Sequence, residues 1–234
     1  MKMKKVLAML LAVLMIVTAT VAGTVAWLQA KTGDVTNTFT VGNINIDLKE
    51  HELDSESNTL LQGSANEVTS EDEYKILPGD TQPKDPFVRI GADSEDCYVF
   101  IKVVEENNDT YKYVTDADGN VTKVATNQKY VTYSVNTEKW TALADNPGVY
   151  YYKVGTTEYF ANQDAEGIIY ILTDDEVKYA ETLTKPEIDY LYNEDGTVDT
   201  TKQPKLVFTA YAVQKANVDT VAEAWDIAKG LVTA

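Results

Sequence analysis

The chain has 234 residues, a formal charge of −17 and 44% hydrophobic residues, which excludes a disordered protein and fits one large β domain. Such an acidic surface disfavours nucleic acid and anionic lipid headgroups as partners. Because Cys97 is the only cysteine, no intrachain disulfide can form.

Residues 1–26 have the three parts of a secretory signal peptide. A basic start is followed by an unbroken apolar run over 6–17, and Thr24-Val25-Ala26 is an acceptable small-x-small cleavage site. We therefore predict a signal helix that is cleaved between Ala26 and Trp27, which removes three lysines and takes the formal charge from −17 to −20. The alternative is a retained anchor, because residues 6–28 carry no charge and are about long enough to span a bilayer.

The mature chain then begins with a polar linker, residues 27–37, that leads into the first strand. Apolar residues alternate through 39–48, and their parity shifts at Gly42-Asn43 as it would at a β-bulge. The polar stretch 51–73 predicts a long loop. Beyond it, Pro78-Gly79 marks a turn, and two further prolines keep the next segment extended near a sheet edge.

Residues 87–90 and 97–104 are predicted to be strands. The second is dense in aromatic and β-branched residues and should be central in its sheet. It starts at Cys97, where a free cysteine usually acts as a small core residue, and Cys97, Val99 and Ile101 are therefore assigned to the core.

From residue 111 onward, short strands rich in tyrosine alternate with turns, a spacing typical of a β-sandwich or barrel. Asp118-Gly119 is a hairpin turn signal, and residues 187–192 are predicted to be another short strand. The strong strand at 206–213 comes last. A change to helical spacing then predicts an amphipathic helix at 220–230, with Asp219 or Thr220 as its cap and Trp225 against the body.

The candidate chemical motifs are weak. His51 is the only histidine and the zincin pair HExxH is absent, so a zinc hydrolase built on histidines is excluded. A metal site made only of carboxylates stays open, although scattered acids usually form a solvated face. The stretch DADGN at 116–120 fits a hairpin turn better than a calcium loop. We find no phosphate loop and no nucleophile elbow, and we predict a protein without enzymatic activity or cofactor.

Four separated motifs carry a family resemblance. TVAWLQAKTGDVTNTFTVGNINIDL after the export signal, ILPGDTQPKDPFV, DCYVFIKVV and AYAVQKANVDTVAEAWD resemble the TasA/camelysin family, whose members are exported through the signal peptidase SipW. The similarity spans the chain, but residues 107–200 carry little that is specific. Cys97 stands where such proteins often have alanine, and residues 215–217 also depart from the usual pattern.

The resemblance implies a jelly-roll-like antiparallel β-sandwich over residues 38–234 and a secreted subunit of biofilm-matrix fibres. It further implies self-association, in which residues 27–37, with Trp27, Leu28 and Val35, act as a donor strand for the next subunit, and other matrix components as possible partners. That segment could instead be a disordered stub or fold back onto its own domain. The alternative functions are a camelysin-like cell-surface metalloprotease and a monomeric surface adhesin that binds glycan or host protein through its tyrosines.

Overall fold

The computed structural model of the chain describes residues 43–54, 56–69, 76–153, 155–162, 164 and 167–230. This part is an antiparallel all-β sandwich with a short C-terminal helix, so the predicted fold class is confirmed. The signal helix, the cleavage junction, residues 27–37 and the bulge at Gly42 lie outside the described residues.

The strands, in chain order, are β1 Ile46–His51, β2 Leu53–Asp54, β3 Thr59–Leu60, β4 Glu67–Val68, β5 Thr81–Pro83, β6 Phe87–Ile90, β7 Cys97–Glu106, β8 Asp109–Thr115, β9 Val121–Lys129, β10 Val131–Thr132, β11 Trp140–Ala142, β12 Val149–Tyr152, β13 Gly167–Tyr170, β14 Glu176–Tyr179 and β15 Lys205–Gln214. The helices are α1 Lys185–Asp189 and α2 Val221–Gly230, and short 3-10 turns lie at Ser64–Asn66 and Thr173–Asp175.

Two four-stranded sheets, in the orders β13-β6-β1-β4 and β11-β12-β7-β15, form the sandwich. A smaller sheet, β10-β14-β5, contributes to the same core, and β8 pairs with β9 in a separate hairpin. Pro83 lies in β5 at the edge of the small sheet, where a residue without an N–H breaks no ladder.

The core forms because β7 is apolar on both faces. Alternate side chains of a strand point to opposite faces, so Cys97, Val99 and Ile101 enter the core shared with Ile46 and Ile90, and all five are at most 1% exposed. As predicted, β7 is central: it pairs with β12 on one side and β15 on the other.

The helix α2 covers the other face of the same sheet. Trp225 is 6% exposed, and its ring centroid lies 5.4 Å from those of Phe100 and Tyr211. The hydroxyl of Thr220 accepts the N–H of Glu223 at 3.2 Å, so Thr220 caps the helix as expected. The predicted amphipathic helix is therefore confirmed.

Two local predictions are wrong. The stretch 51–73 is not one long loop, because its described part contains the β2–β3 hairpin and β4, which pairs with β1. Residues 187–192 are not a strand, since α1 occupies Lys185–Asp189. The carboxylate of Glu187 accepts hydrogen bonds from the N–H and hydroxyl of Thr184, both at 2.7 Å, and this capping interaction, with Pro186 in the first turn, outweighs the apolar alternation.

Candidate assembly surface

The structure describes the body to which the predicted donor strand is attached. Trp27, Leu28, Val35 and the junction Ala26-Trp27 lie outside the described residues, so their roles remain predictions. Cys97 lies fully buried in β7, where burial, and next the charge of Asp96, raise the pKa of its thiol to about 12. A thiol held protonated in this way is unreactive, which suits a packing role.

The described chain enters the fold at Asn43, which is held by the loop before β7. The carbonyl of Asn43 accepts the N–H of Glu95 at 2.9 Å, and its side-chain amide donates to the carbonyl of Asp93 at 3.0 Å. The N–H of Asn45 donates to the hydroxyl of the buried Ser94 at 3.0 Å. The start of the body is therefore firmly anchored a few residues after the candidate donor segment.

Gly91 allows this anchor to close. Its N–H donates to the carbonyl of Asn45 at 2.8 Å, and a Cβ at this position would lie 3.0 Å from the side-chain amide nitrogen of Asn45. A larger residue would require the Asn45 side chain to shift by a few tenths of an ångström. No motif in the sequence pointed to this contact, because the two residues are far apart in the chain.

The anchor lies beside one end of β15. Lys215 donates its N–H to the carbonyl of Asp96 at 2.7 Å, and the side chain of Gln214 bonds that of Glu95 in the same loop. The segment that precedes Asn43 therefore joins the body next to the C-terminal end of β15.

The strand β15 forms the longest edge of either four-stranded sheet. It is ten residues long, pairs with β7 along its whole length, and has no second partner strand among the described residues. Between its ends, residues 206–213 contain no charge and no proline. Edge strands of natural proteins are usually blunted by charges, proline or a covering segment, so an edge of this kind is suited to pairing with a further strand.

The length of the candidate donor matches this edge. Ten residues of β15 span about 33 Å, and the eleven residues of 27–37 span about 36 Å when extended. Both faces beside β15 are apolar: Phe208 and Ala210 point to the sandwich core, whereas Tyr211 points to α2. An added strand therefore needs apolar side chains on both of its faces.

The only histidine is buried against a carboxylate. His51 ends β1, is 5% exposed, and its Nδ1 lies 2.7 Å from the carboxylate of Asp85, which also accepts the N–H of His51 at 2.9 Å. Nearby, burial and the charges of Asp85 and Asp174 raise the pKa of Asp175. No three His, Cys, Asp or Glu side chains within the described ranges gather closely enough to hold a metal ion.

A small cleft lies at the base of the β8–β9 hairpin. It has a volume of about 250 Å³ and its lining includes Glu105, Lys129, Tyr133 and Tyr150. Burial raises the pKa of the Tyr133 hydroxyl, and the neighbouring charge of Glu105 acts in the same direction. The cleft is large enough for one sugar ring or amino acid, but Glu105 is already bonded to Asn108 and Lys129.

Comparisons of the chain with protein-family models, with curated proteins and with solved structures found no match. None of the helices in the described part of the chain is long and apolar enough to cross a membrane.

Proposed function

We propose that the mature chain is a secreted, non-enzymatic subunit of extracellular biofilm-matrix fibres, and that residues 27–37 of one subunit pair with β15 of the next. The observation that carries this proposal is the ten-residue edge of β15, which has no second partner strand in the described part of the chain. The family resemblance of the N-terminal block supports it independently.

The pairing would have to combine backbone and side-chain contributions. About ten added hydrogen bonds contribute roughly 0.5–1.5 kcal/mol each, whereas association of two proteins costs about 4–15 kcal/mol. The free energy gained from backbone pairing alone is therefore about equal to the cost of association. Trp27 and Val35 share one face of an extended segment and Leu28 lies on the other, so these side chains would fill apolar positions beside Phe208 and Tyr211.

Export would control the timing of assembly. While the signal is attached, residues 27–37 are held at the membrane, and cleavage between Ala26 and Trp27 by the signal peptidase SipW releases them. Fibres would then form only outside the cell, where other matrix components are available as partners. A donor that leaves its own subunit also leaves that subunit's edge open for the next copy, so the contact repeats along a filament.

The test is deletion of residues 27–37 from the mature protein. We expect a folded, soluble monomer with near-normal β content by circular dichroism that no longer forms fibres in electron microscopy. A variant of unchanged length, with Trp27, Leu28 and Val35 replaced by serine, should fail equally, whereas the control Gln29→Ser should assemble normally. Fibre growth at the ordinary rate by the deleted chain would contradict the donor role.

A surface adhesin is the second candidate function, and the cleft with Tyr133 and Tyr150 favours it. Its size suits a single sugar, and each tyrosine combines an apolar ring with a polar hydroxyl. Glycan-array binding that survives deletion of residues 27–37 and is lost on Tyr150→Ala would favour this function. Absence of binding to any glycan would leave the fibre proposal as the better one.

A further inference from the structure

The β8–β9 hairpin, residues 109–129, forms an arm whose strands pair with no other strand in the part of the chain that the structure describes. One face of this arm contacts the body through its tyrosines, although Tyr113 is still 50% exposed. The rings of Tyr111 and Tyr113 pack on Tyr190, next to α1, with centroids 5.7 and 5.3 Å apart. Lys123 lies over the Tyr111 ring at 3.9 Å and strengthens the same contact.

The outer part of the other face, beyond Thr126, is exposed to solvent. The cross-strand pairs Lys112–Val124 and Val114–Thr122 lie on the face opposite to the tyrosines, because paired residues of neighbouring strands share a face. On this face Val114 is 41% exposed and Val124 is 40% exposed. Clustered exposed β-branched side chains on a soluble protein mark an interaction surface.

The arm is held in position rather than loosely attached. At its base the buried Asn108 bonds the backbone of Val131 through both its amide oxygen and nitrogen, at 2.8 Å each. Burial alone would raise the pKa of Glu187, but hydrogen bonds from Thr126, Thr184 and Gln128 lower it to about 2. Glu187 is therefore an ionised, buried carboxylate, and its bonds to Thr126 and Gln128 hold β9 against the body. A surface fixed in this way loses little entropy on binding.

Charge indicates what this open face would bind. Lys112 is its only charged residue and makes no ion pair within the described ranges, although the whole chain carries −17. Residues 50–73, by contrast, contain eight acidic residues and no lysine or arginine, although Glu50 is paired with Lys84, and Glu67 with Lys49 and Arg89. Their described part includes the β2–β3 hairpin, with exposed Glu52 and Glu56 and with Leu61, which is 36% exposed.

We infer that the open face of the arm docks on the β2–β3 side of a second copy of this chain. Valine side chains would meet Leu61, and Lys112 would face Glu52 and Glu56. The two surfaces are different, so the contact is head-to-tail and each copy offers both halves, as a filament requires. This inference rests on the proposed function for its partner, but it uses a surface separate from β15.

Site-specific photo-crosslinking on the mature chain, residues 27–234, tests the contact directly. A benzophenone amino acid is placed at Val114 or, as a control, at Ile168, which is 43% exposed on β13. Isotope-labelled and unlabelled chains are mixed so that mass spectrometry identifies crosslinks between copies. We expect crosslinks from position 114 to residues 50–69 of a second copy and none of these from position 168. Crosslinks elsewhere, or none, would overturn the inference.

A charge swap provides the second measurement. Lys112→Glu should slow self-association about tenfold, and adding Glu52→Lys and Glu56→Lys should restore it to within about twofold. Failure of the swap to restore association would count against the pairing. Because these side chains are at the surface, circular dichroism should be unchanged in all variants.

The two proposals fail in different ways. Fibres without the crosslink from Val114 would remove the arm contact and leave donation by residues 27–37 standing. The crosslink in a chain that never forms fibres would remove the fibre function and leave the contact between copies standing. If the chain forms no fibres and gives no crosslinks between copies, both proposals are wrong.

Discussion

Replacement of Trp225 by alanine tests whether α2 is an integral layer of the sandwich. The side chain is 6% exposed and packs on Phe100 and Tyr211, and its Nε1 donates to the side-chain oxygen of Asn146 at 2.9 Å. The helix has few other large side chains against the sheet. Its attachment should therefore depend mainly on this one residue.

The magnitude follows from the buried area. A buried tryptophan removes roughly 200 Å² from water, which at about 25 cal/mol per Å² gives an upper bound of about 5 kcal/mol. Measured truncations of buried aromatic residues to alanine cost about 3–5 kcal/mol. We expect Trp225→Ala to lower the free energy of unfolding by about 3–5 kcal/mol.

Urea unfolding followed by circular dichroism measures this loss, since tryptophan fluorescence would change with the substitution itself. Ile227→Ala is the matched control on the same helix, because Ile227 is 37% exposed and should lower the free energy of unfolding by no more than about 1 kcal/mol. If the free energy of unfolding falls by a similar amount in the two variants, the packing of Trp225 is not what attaches α2 to the sheet.

Two further predictions concern the sandwich. Hydrogen bonds from Arg89 lower the pKa of Glu67 from 4.5 to about 2. The ionised Glu67 therefore stabilises the folded state fully above pH 4.5, and this contribution is lost as the pH falls towards 2. Glu67→Gln should flatten the dependence of the free energy of unfolding on pH in that window. Gly148 has a φ of +76°, and a Cβ there would lie 2.6 Å from the carbonyl oxygen of Val103. Gly148→Ala should therefore lower the melting temperature more than the control Gly119→Ala, because Gly119 has a φ of +86° but open space around it. Equal decreases in melting temperature would contradict the steric argument.

The sequence determined those elements whose pattern is local. The apolar run at Cys97, the closing strand through Phe208 and the helical spacing around Trp225 each contain their own periodicity, so their types could be assigned without knowledge of neighbours. The hairpin turn at Asp118-Gly119 is encoded locally in the same way. The Thr184–Glu187 cap is also local, and attention to its spacing would have found α1.

The tertiary structure alone decided the contacts between distant residues. Glu67 occurs in a polar stretch that resembles a loop, and its pairing with His51 in β1, together with the ion pair to Arg89, 22 positions away, makes that stretch part of a sheet. The burial of His51 depends likewise on Asp85, 34 positions away, which supplies the carboxylate partner.

For the candidate site, the sequence correctly predicted the strand β15, whereas the export signal and the donor segment 27–37 stay predictions. It did not reveal which long strand lacks a second partner among the described residues or where Asn43 enters the body, because both depend on the order of strands in the sheets. Strand order is set by which apolar faces can be buried together across the whole chain, and that sum of distant contacts leaves no periodic signal in any one segment.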